Sequence, residues 1–517
     1  MKKGKAKAAS FIIESLWLVF FLSTAVLIDV KLYRLKLHAL QLGSLILLAA
    51  AFFAELKKKE IRIPVLRTDA ILFCYMAYLI FRYVISSQKP VAGVDLERYF
   101  LFGALYLTGR YYSPIKKTLL RYWVAAAFFI ALYGLWQNFG GTILFVSVPR
   151  VSPPFATFGN QDFFAGYLLL IFPAALGIFR EEKKIFFLAA FLLFLADLYL
   201  TGSRAAALGI PVALGFLLGN SYFPSFSAKK KVIASVLFLA GIISLVFFYR
   251  SFFFRDTTRL LIWRDTLRMA LHHPFGVGPG EFRLHFPGFA QEDLQRVYPL
   301  DKFIVNFAHN EYLEILAEQG LPGLLLFFSF IFYGLVKGTA SPFIKAGLLT
   351  ALFQAFFSVE FRFTVVGAFF FLLFGLGMED RVFREFRIKL DWKKRTAILL
   401  SATFLWGNAV FFSLSPFRAK KRMDAEKDFF TEKPMDTEGQ IKKLEREFSS
   451  RAEYDTAYQL GWLLAKEKSW EKAVLYFRKA AELNPGSFGA MNNLGNIYFH
   501  TGQRAAAIHF WEKSLEI

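Results

Sequence analysis

The sequence predicts an all-α, polytopic membrane protein of about 12 to 13 spanning helices that ends in a soluble helical-repeat domain. Three observations predict it: an apolar composition, a succession of membrane-length apolar runs, and a 34-residue self-similarity in the last hundred residues.

Of the 517 residues, 56% are hydrophobic, 20% are charged and 65 are phenylalanine. A soluble globule cannot hide that much apolar surface, so the bilayer is the natural solvent. The formal charge of +22 could be a nucleic-acid signature. In a membrane protein, however, basic residues gather on cytoplasmic loops, so their distribution decides. The distribution found below leaves no nucleic-acid partner to expect. The single cysteine, Cys74, sits inside an apolar run, which excludes an internal disulfide and a thiolate metal cluster.

The runs begin near Phe11, Leu37, Thr68, Tyr99, Tyr122, Asp162, Ile185, Ala205, Val232, Leu321, Ala346, Phe363 and Thr396. The first follows a lysine-rich start and has no small-residue cleavage site, so it reads as a retained helix rather than a removed signal peptide. With the N-terminus inside, the basic clusters Lys57 to Lys59 with Arg62 and Arg67, Arg110 to Arg121, Arg180 to Lys184, Lys229 to Lys231, and 381–395 all fall on cytoplasmic loops. Lys31, Arg34 and Lys36 dissent on the outer side, which makes the first hairpin the weakest part of this topology. The longest interspan segment, 250–308, then lies outside and holds His272, His273 and His285, with His309 directly after it. Together with the short helix that follows, it forms a large extracytoplasmic loop over 250–320, where polar chemistry concentrates.

After the last run, 396–414, the composition turns to mixed charge. Leu460-Gly461 recurs as Leu494-Gly495, Ala473 as Ala507 and Phe477 as Trp511, and Ala480 and Pro485 close the first copy. This is the tetratricopeptide pattern, in which small residues let two helices approach while an aromatic fills the gap. Two copies are fewer than independent stability needs, so the stretch 423–450 is expected to serve as a degenerate repeat or cap. The domains expected are a membrane domain over 1–419 and a repeat domain over 420–517.

Three motifs could carry chemistry. In the first, His309, Leu313, Leu316 and Gly320 share one face of a short helix, Glu311, Glu314 and Glu318 take another, and Gly320 with Pro322 ends it. An interfacial helix with a capping histidine and solvated glutamates explains this as simply as catalysis does. In the second, Thr201-Gly202-Ser203-Arg204 meets small residues at the outer junction of two runs; Arg204 is either snorkelling to the interface or part of an anion site. The third is Arg259-Leu260-Leu261-Ile262-Trp263-Arg264-Asp265, followed by the glycine-rich Phe275 to Gly280. It lacks the strand and helix context of a nucleotide-binding fold. No Asp-x-Asp pair stands in the outer loop, and the adjacent His272 and His273 cannot both face one ion on a helix, so no metal site is expected.

Together these motifs resemble the O-antigen ligase and polymerase family of bacterial envelope enzymes, over roughly residues 162–377. The pattern His-Asn-x-x-Leu-x-x-x-x-Glu-x-Gly-x-x-Gly from His309 is the most specific mark. Ser203-Arg204, Trp263-Arg264, Gly276-Val277-Gly278 and Phe158-Gly159-Asn160 support it. The resemblance implies a GT-C-like glycosyltransferase of the bacterial cytoplasmic membrane, with active site and repeats facing outward and no cofactor. It would take a glycan from a polyprenyl-diphosphate carrier, an embedded membrane lipid, and join it to a glycan, lipid or protein acceptor. On that reading Arg204 and Arg264 match diphosphate-binding arginines and His309 the essential histidine. Asn160, Arg259, Asn310 and Glu314 are the candidate substrate-binding residues, and a protein partner could dock on the repeats. The chemistry is coherent without a metal, because fixed guanidiniums can stabilise a developing diphosphate. A carrier or flippase of lipid-linked sugars would keep the arginines but would not need the histidine.

Overall fold

The computed structural model describes residues 2–27, 34–86, 88–143, 146–148, 150–222, 258–297, 305–339, 341–359, 361–362, 364–396, 399, 437–450 and 452–516. It divides into two compact units, residues 1–414 and 415–517.

In the first unit, eight helices follow one another: α1 (Lys2–Val26), α2 (Arg34–Leu56), α3 (Arg67–Ile85), α4 (Lys89–Tyr111), α5 (Lys116–Phe139), α6 (Gln161–Glu182), α7 (Ile185–Leu200) and α8 (Arg204–Tyr222). The loop helix α9 (Thr258–His272) precedes α10 (Glu311–Tyr333), α11 (Pro342–Gln354) and α12 (Thr364–Leu376). Each described apolar run is therefore helical. The run from Val232 lies outside the described residues, as does nearly all of the run from Thr396. By length and composition six of these helices can cross a bilayer, namely α2, α3, α5, α6, α8 and α10, and α1, α7 and α12 contain shorter apolar stretches. The expected 12 to 13 spans are thus not all met by full-length helices among the described residues. Helix α4 carries Asp95, Glu97 and Arg98 in its middle, and α11 has only 13 residues.

The core is aromatic. Trp123, Phe21, Tyr167 and Phe369 bring α5, α1, α6 and α12 together with ring centroids 4.8 to 6.2 Å apart. Small residues set the closest approaches. A Cβ on Gly347 of α11 would stand 2.2 Å from the Leu170 carbonyl oxygen of α6, and one on Gly375 of α12 would stand 2.1 Å from that of Tyr106 on α4.

The described basic loops meet at one end of this bundle, and they build a structure that hydropathy does not announce; Lys229 to Lys231 lie outside the described residues. Strand β1 (Glu60–Leu66) pairs antiparallel with β4 (Val382–Lys389), so two loops more than 300 residues apart form one ribbon. The second two-stranded sheet, of β2 (Gly141–Ile143) and β3 (Val146–Val148), is minor. Arg110 donates to the Pro64 carbonyl (2.8 Å) and Thr68 to Asp380 (2.8 Å). Lys117 pairs with Glu181 at 2.8 Å, and Arg121 pairs with Glu182. Lys36, which dissented from the topology, is buried. Its ammonium donates to Thr157 Oγ1 (2.8 Å) and lies 3.9 Å from the Phe158 ring centroid. A lysine consumed inside the fold does not count as loop charge, so it does not oppose the positive-inside pattern.

In the second unit α13 (Thr437–Ser450) precedes two helix pairs, α14 (Tyr454–Lys466) with α15 (Trp470–Leu483) and α16 (Phe488–His500) with α17 (Arg504–Glu516). Gly461 is roofed by the Phe477 ring and Gly495 by the Trp511 ring, within 2.8 and 2.3 Å of where a Cβ would stand. That is the small-plus-aromatic packing the repeat pattern calls for. Helix α13 packs Phe448 edge-on to Tyr476 at 5.7 Å, the place of a preceding half-repeat; residues 423–436 of the expected cap lie outside the described ones.

Candidate functional site

Four segments far apart in sequence converge on one cleft of about 310 Å³, lined by Gln161, Asp162, 202–205, Leu208, Arg259, Phe357 and Ser358. Asn160 caps α6 by accepting from the Asp162 N–H at 2.7 Å, which presents Gln161 and Asp162 as the first turn of that helix. Gly202, at φ +61°, turns the chain between α7 and α8 so that Arg204 is the first residue of α8. Helix α9 closes the third side. Arg259 donates to the Phe357 carbonyl (3.3 Å), and Trp263 packs edge-on to Phe356 at 5.5 Å. The cleft lies at the start of α6, whose 22 residues, about 33 Å long, end at the Glu182 that pairs with Arg121. Cleft and basic loops therefore occupy opposite ends of the bundle.

Of the two expected phosphate-binding arginines, only Arg204 lines the cleft. Arg264 lies five residues beyond Arg259 on the same helix, about 140° around its axis, and faces away. Its guanidinium forks onto Asp293 at 2.5 and 2.7 Å and holds Asp265 at 2.8 Å. The pairing pulls the Asp293 carboxyl down to about 2. Arg264 is thus committed to the loop's own structure, and Arg259 stands where the second anion-binding arginine was expected.

His309 precedes α10 in a left-handed conformation, φ +55°. It is not the cap. Asn310 is, accepting from the Tyr312 and Leu313 N–H groups at 3.0 and 3.1 Å. This occupies the Asn310 side-chain oxygen, as the α6 cap occupies that of Asn160; both serve helix starts. The His309 imidazole feels two charges, Arg259 and Asp162, both of which line the cleft. Burial, and then Arg259, push its pKa down to about 4. It is therefore neutral at physiological pH, able to accept a hydrogen bond or a proton but unsuited to be a standing cationic partner for phosphate.

The glutamates expected in solvent are the opposite of solvated. Glu311, Glu314 and Glu318 are buried, as is Asp95 of α4, and they surround Arg362. Arg362 bonds Asp95 at 3.2 Å, pairs with Glu318 and lies 3.9 Å from Glu311. Glu311 also accepts from the Phe361 N–H at 3.1 Å, and Glu314 accepts from the Ala308 N–H, directly before His309. Glu314 therefore fixes the histidine loop from inside rather than reaching a substrate. The i, i+3, i+7 spacing of these glutamates, set beside Arg362 and Asp95 in otherwise apolar stretches, was the signal available in the sequence. Charges in such stretches face the bundle interior and find each other.

The glycine-rich turn is a clasp. Gly320 interrupts α10 at φ +71°, so that 311–319 form a short helix set against the spanning part. Against this break Val277 N–H donates to the Ala317 carbonyl (2.9 Å), Gly278 N–H to that of Glu318 (3.0 Å), and Leu321 N–H to that of Pro274 (2.9 Å). A Cβ on Gly320 would stand 2.3 Å from the Phe275 carbonyl carbon, and one on Gly276 2.3 Å from the Glu318 oxygen. Gly320→Ala is accordingly expected to destabilise the protein by about 2–4 kcal/mol through strain and overlap. Thermal unfolding in detergent would read this as a clear loss of Tm; an unchanged Tm would mean the turn is not docked there.

His273 and His285 have ring centroids 6.3 Å apart, and Glu281 accepts from His285 at 3.3 Å. Even so, among the described residues no three His, Cys, Asp or Glu side chains are placed to hold one metal ion.

Residues 189–328, which carry Arg204, Arg259, the glycine clasp and His309, match the family described as O-antigen ligase. Residues 454–487 and 489–517 each match a tetratricopeptide repeat. No curated protein and no solved structure matches the chain. The chain is a multi-pass membrane protein whose membrane unit carries an O-antigen ligase family domain and whose C-terminus carries tetratricopeptide repeats.

Proposed function

We propose that this protein transfers a preassembled glycan from a polyprenyl-diphosphate carrier to an acceptor hydroxyl at the outer face of the bacterial cytoplasmic membrane. The observation that carries the reading is the cleft shared by Arg204 and Arg259, with His309 in electrostatic reach of its Arg259 and Asp162. The acceptor oxygen bonds to the anomeric carbon as the bond from that carbon to the phosphate oxygen breaks. The hydroxyl proton passes to His309 and the lipid diphosphate leaves, its charge taken up by the two guanidiniums. A single displacement of this kind inverts the anomeric centre. The position of the cleft at the end of the bundle away from the basic loops supports the outward orientation. Lipid A core, a growing glycan or a protein side chain would each serve this chemistry as acceptor.

The arginines test the reading. Arg204→Lys and Arg259→Lys should each lower transfer roughly 10- to 100-fold, the worth of one charged hydrogen bond, because a point charge does not reproduce the two-donor fork. Arg264→Lys should cost much less, since Arg264 serves Asp293. Full activity in the first two variants would return Arg204 to a snorkelling role. On the same orientation the repeats lie outside and could recruit an acceptor or partner protein. A reporter active only in the cytoplasm, fused after Glu516, should then stay silent, and strong activity would overturn that placement.

A further inference from the structure

The ribbon of β1 and β4 is not used by the chemistry above, yet its position is tightly determined. Helix α2 ends at Leu56 and β1 starts at Glu60; β1 ends at Leu66 and α3 starts at Arg67. Both helices are long and apolar enough to span a bilayer. Two consecutive spans end on the same membrane surface, so both ends of β1 are pinned at that surface. Its seven residues, about 23 Å when extended, therefore run along the membrane rather than away from it.

The two faces of the ribbon differ. Side chains directly opposite in an antiparallel pair share a face. Ile61 with Ile388, Ile63 with Phe386 and Val65 with Arg384 fall on one face, where the Arg384 guanidinium lies over the Phe386 ring, and Glu60 with Lys389 and Arg62 with Arg387 fall on the other. On the apolar face Ile63, Phe386 and Ile388 remain 42%, 44% and 36% exposed. The end of the ribbon next to α2 is closed by the Leu390 N–H donating to the Lys59 carbonyl (3.0 Å) and Arg395 donating to that of Lys58 (3.0 Å). This gathers Lys57, Lys58, Lys59, Lys393, Lys394 and Arg395 around Trp392, which is 73% exposed. The acids in contact with this group are Glu55, on Lys58, and Asp391, on Lys394.

We infer that this ribbon is a binding site for anionic phospholipid. Its apolar face and Trp392 lie at the boundary between headgroups and acyl chains, and its basic end engages lipid phosphates. A surface held parallel to the bilayer, apolar on one side and basic at one end, matches the interface in both chemistry and geometry, and an aromatic beside lysines is the usual anchor at that depth. The inference does not depend on the transfer reaction.

The test is lipid retention by the full-length protein in detergent, titrated with phosphatidylglycerol or phosphatidylcholine and read by native mass spectrometry. The native chain should retain phosphatidylglycerol about tenfold better, since each basic residue near an anionic lipid is worth a factor of about five before screening. Combined Lys57→Gln, Lys59→Gln and Lys393→Gln should bring the two lipids close to parity while the protein stays monodisperse. The same change at Arg180, Lys183 and Lys184, the basic group at the end of α6, should leave the preference intact. Equal loss in both variants would make the effect one of overall charge and overturn the site. Preference that survives the ribbon changes would also overturn it, pointing to a protein as the occupant. Competition by inorganic phosphate at equal concentration would reduce the site to a simple anion contact and contradict a lipid.

Discussion

His309→Asn is expected to lower glycan transfer by about 10² to 10⁴, the range that loss of a general base produces, while donor binding survives. Asparagine is the informative replacement because it tolerates the left-handed backbone at φ +55°. A loss of rate then reports the imidazole and not a rearranged loop. The direction of the histidine's pKa shift sets a second expectation. With its pKa held down to about 4, the free enzyme's imidazole stays neutral below the usual titration near 6.5. The acid limb of kcat/KM should therefore appear well below pH 6. The sign is fixed by the cause: burial and Arg259 both disfavour the cation, so acid must go further to protonate it. An acid limb near 6.5 would place His309 in water, and an equal loss of donor binding in the asparagine variant would make it a phosphate ligand.

The second large effect is on stability. Arg362→Met should destabilise the membrane unit by about 3–5 kcal/mol, because it leaves the buried Glu311 and Glu318 without their cation, while Asp95 keeps Arg98. Asp95, Glu311 and Glu318 are all within reach of that one guanidinium, and Arg362 itself is 5% exposed at its side chain. A charge cluster of this kind is fragile to removal of one partner and tolerant of removing several. Adding Glu311→Gln and Glu318→Gln to Arg362→Met, with the Asp95–Arg98 pair left in place, should therefore recover much of the lost Tm. If the single variant unfolds at the native temperature, the cluster is solvated and holds nothing. Because Glu314 of this cluster holds Ala308, the residue directly before His309, the destabilised variant should also lose transfer.

Periodicity made the helices legible, and the small-plus-aromatic recurrence of Gly461, Phe477, Gly495 and Trp511 made the repeats legible, because both are local patterns that packing then satisfies. What the sequence could not display is pairing across distance. The ribbon joins residues 60–66 to 382–389, and nothing within either strand names the other. That Arg259 and not Arg264 lines the cleft has the same origin. Both arginines stand on one helix, and only the orientation of that helix, held by Phe356 and Phe357, decides which faces the cleft. A polar helical face ordinarily meets water, and the glutamates of α10 by themselves suggest no more; Arg362, about 50 residues on, turns that face inward. The place of His309 at the edge of its helix is legible in the sequence, but its environment is not, because the charges and burial acting on it come from other segments.

Reconstitution of transfer bears most directly on the central claim. The purified full-length protein would be mixed with a polyprenyl-diphosphate-linked glycan and candidate acceptors, and the acceptors weighed by mass spectrometry. The account predicts that one acceptor gains the mass of the whole glycan with release of polyprenyl diphosphate, and that the product forms with inverted anomeric configuration. Movement of the intact lipid-linked glycan across a vesicle membrane, with no acceptor gaining mass, would contradict it and make the protein a carrier.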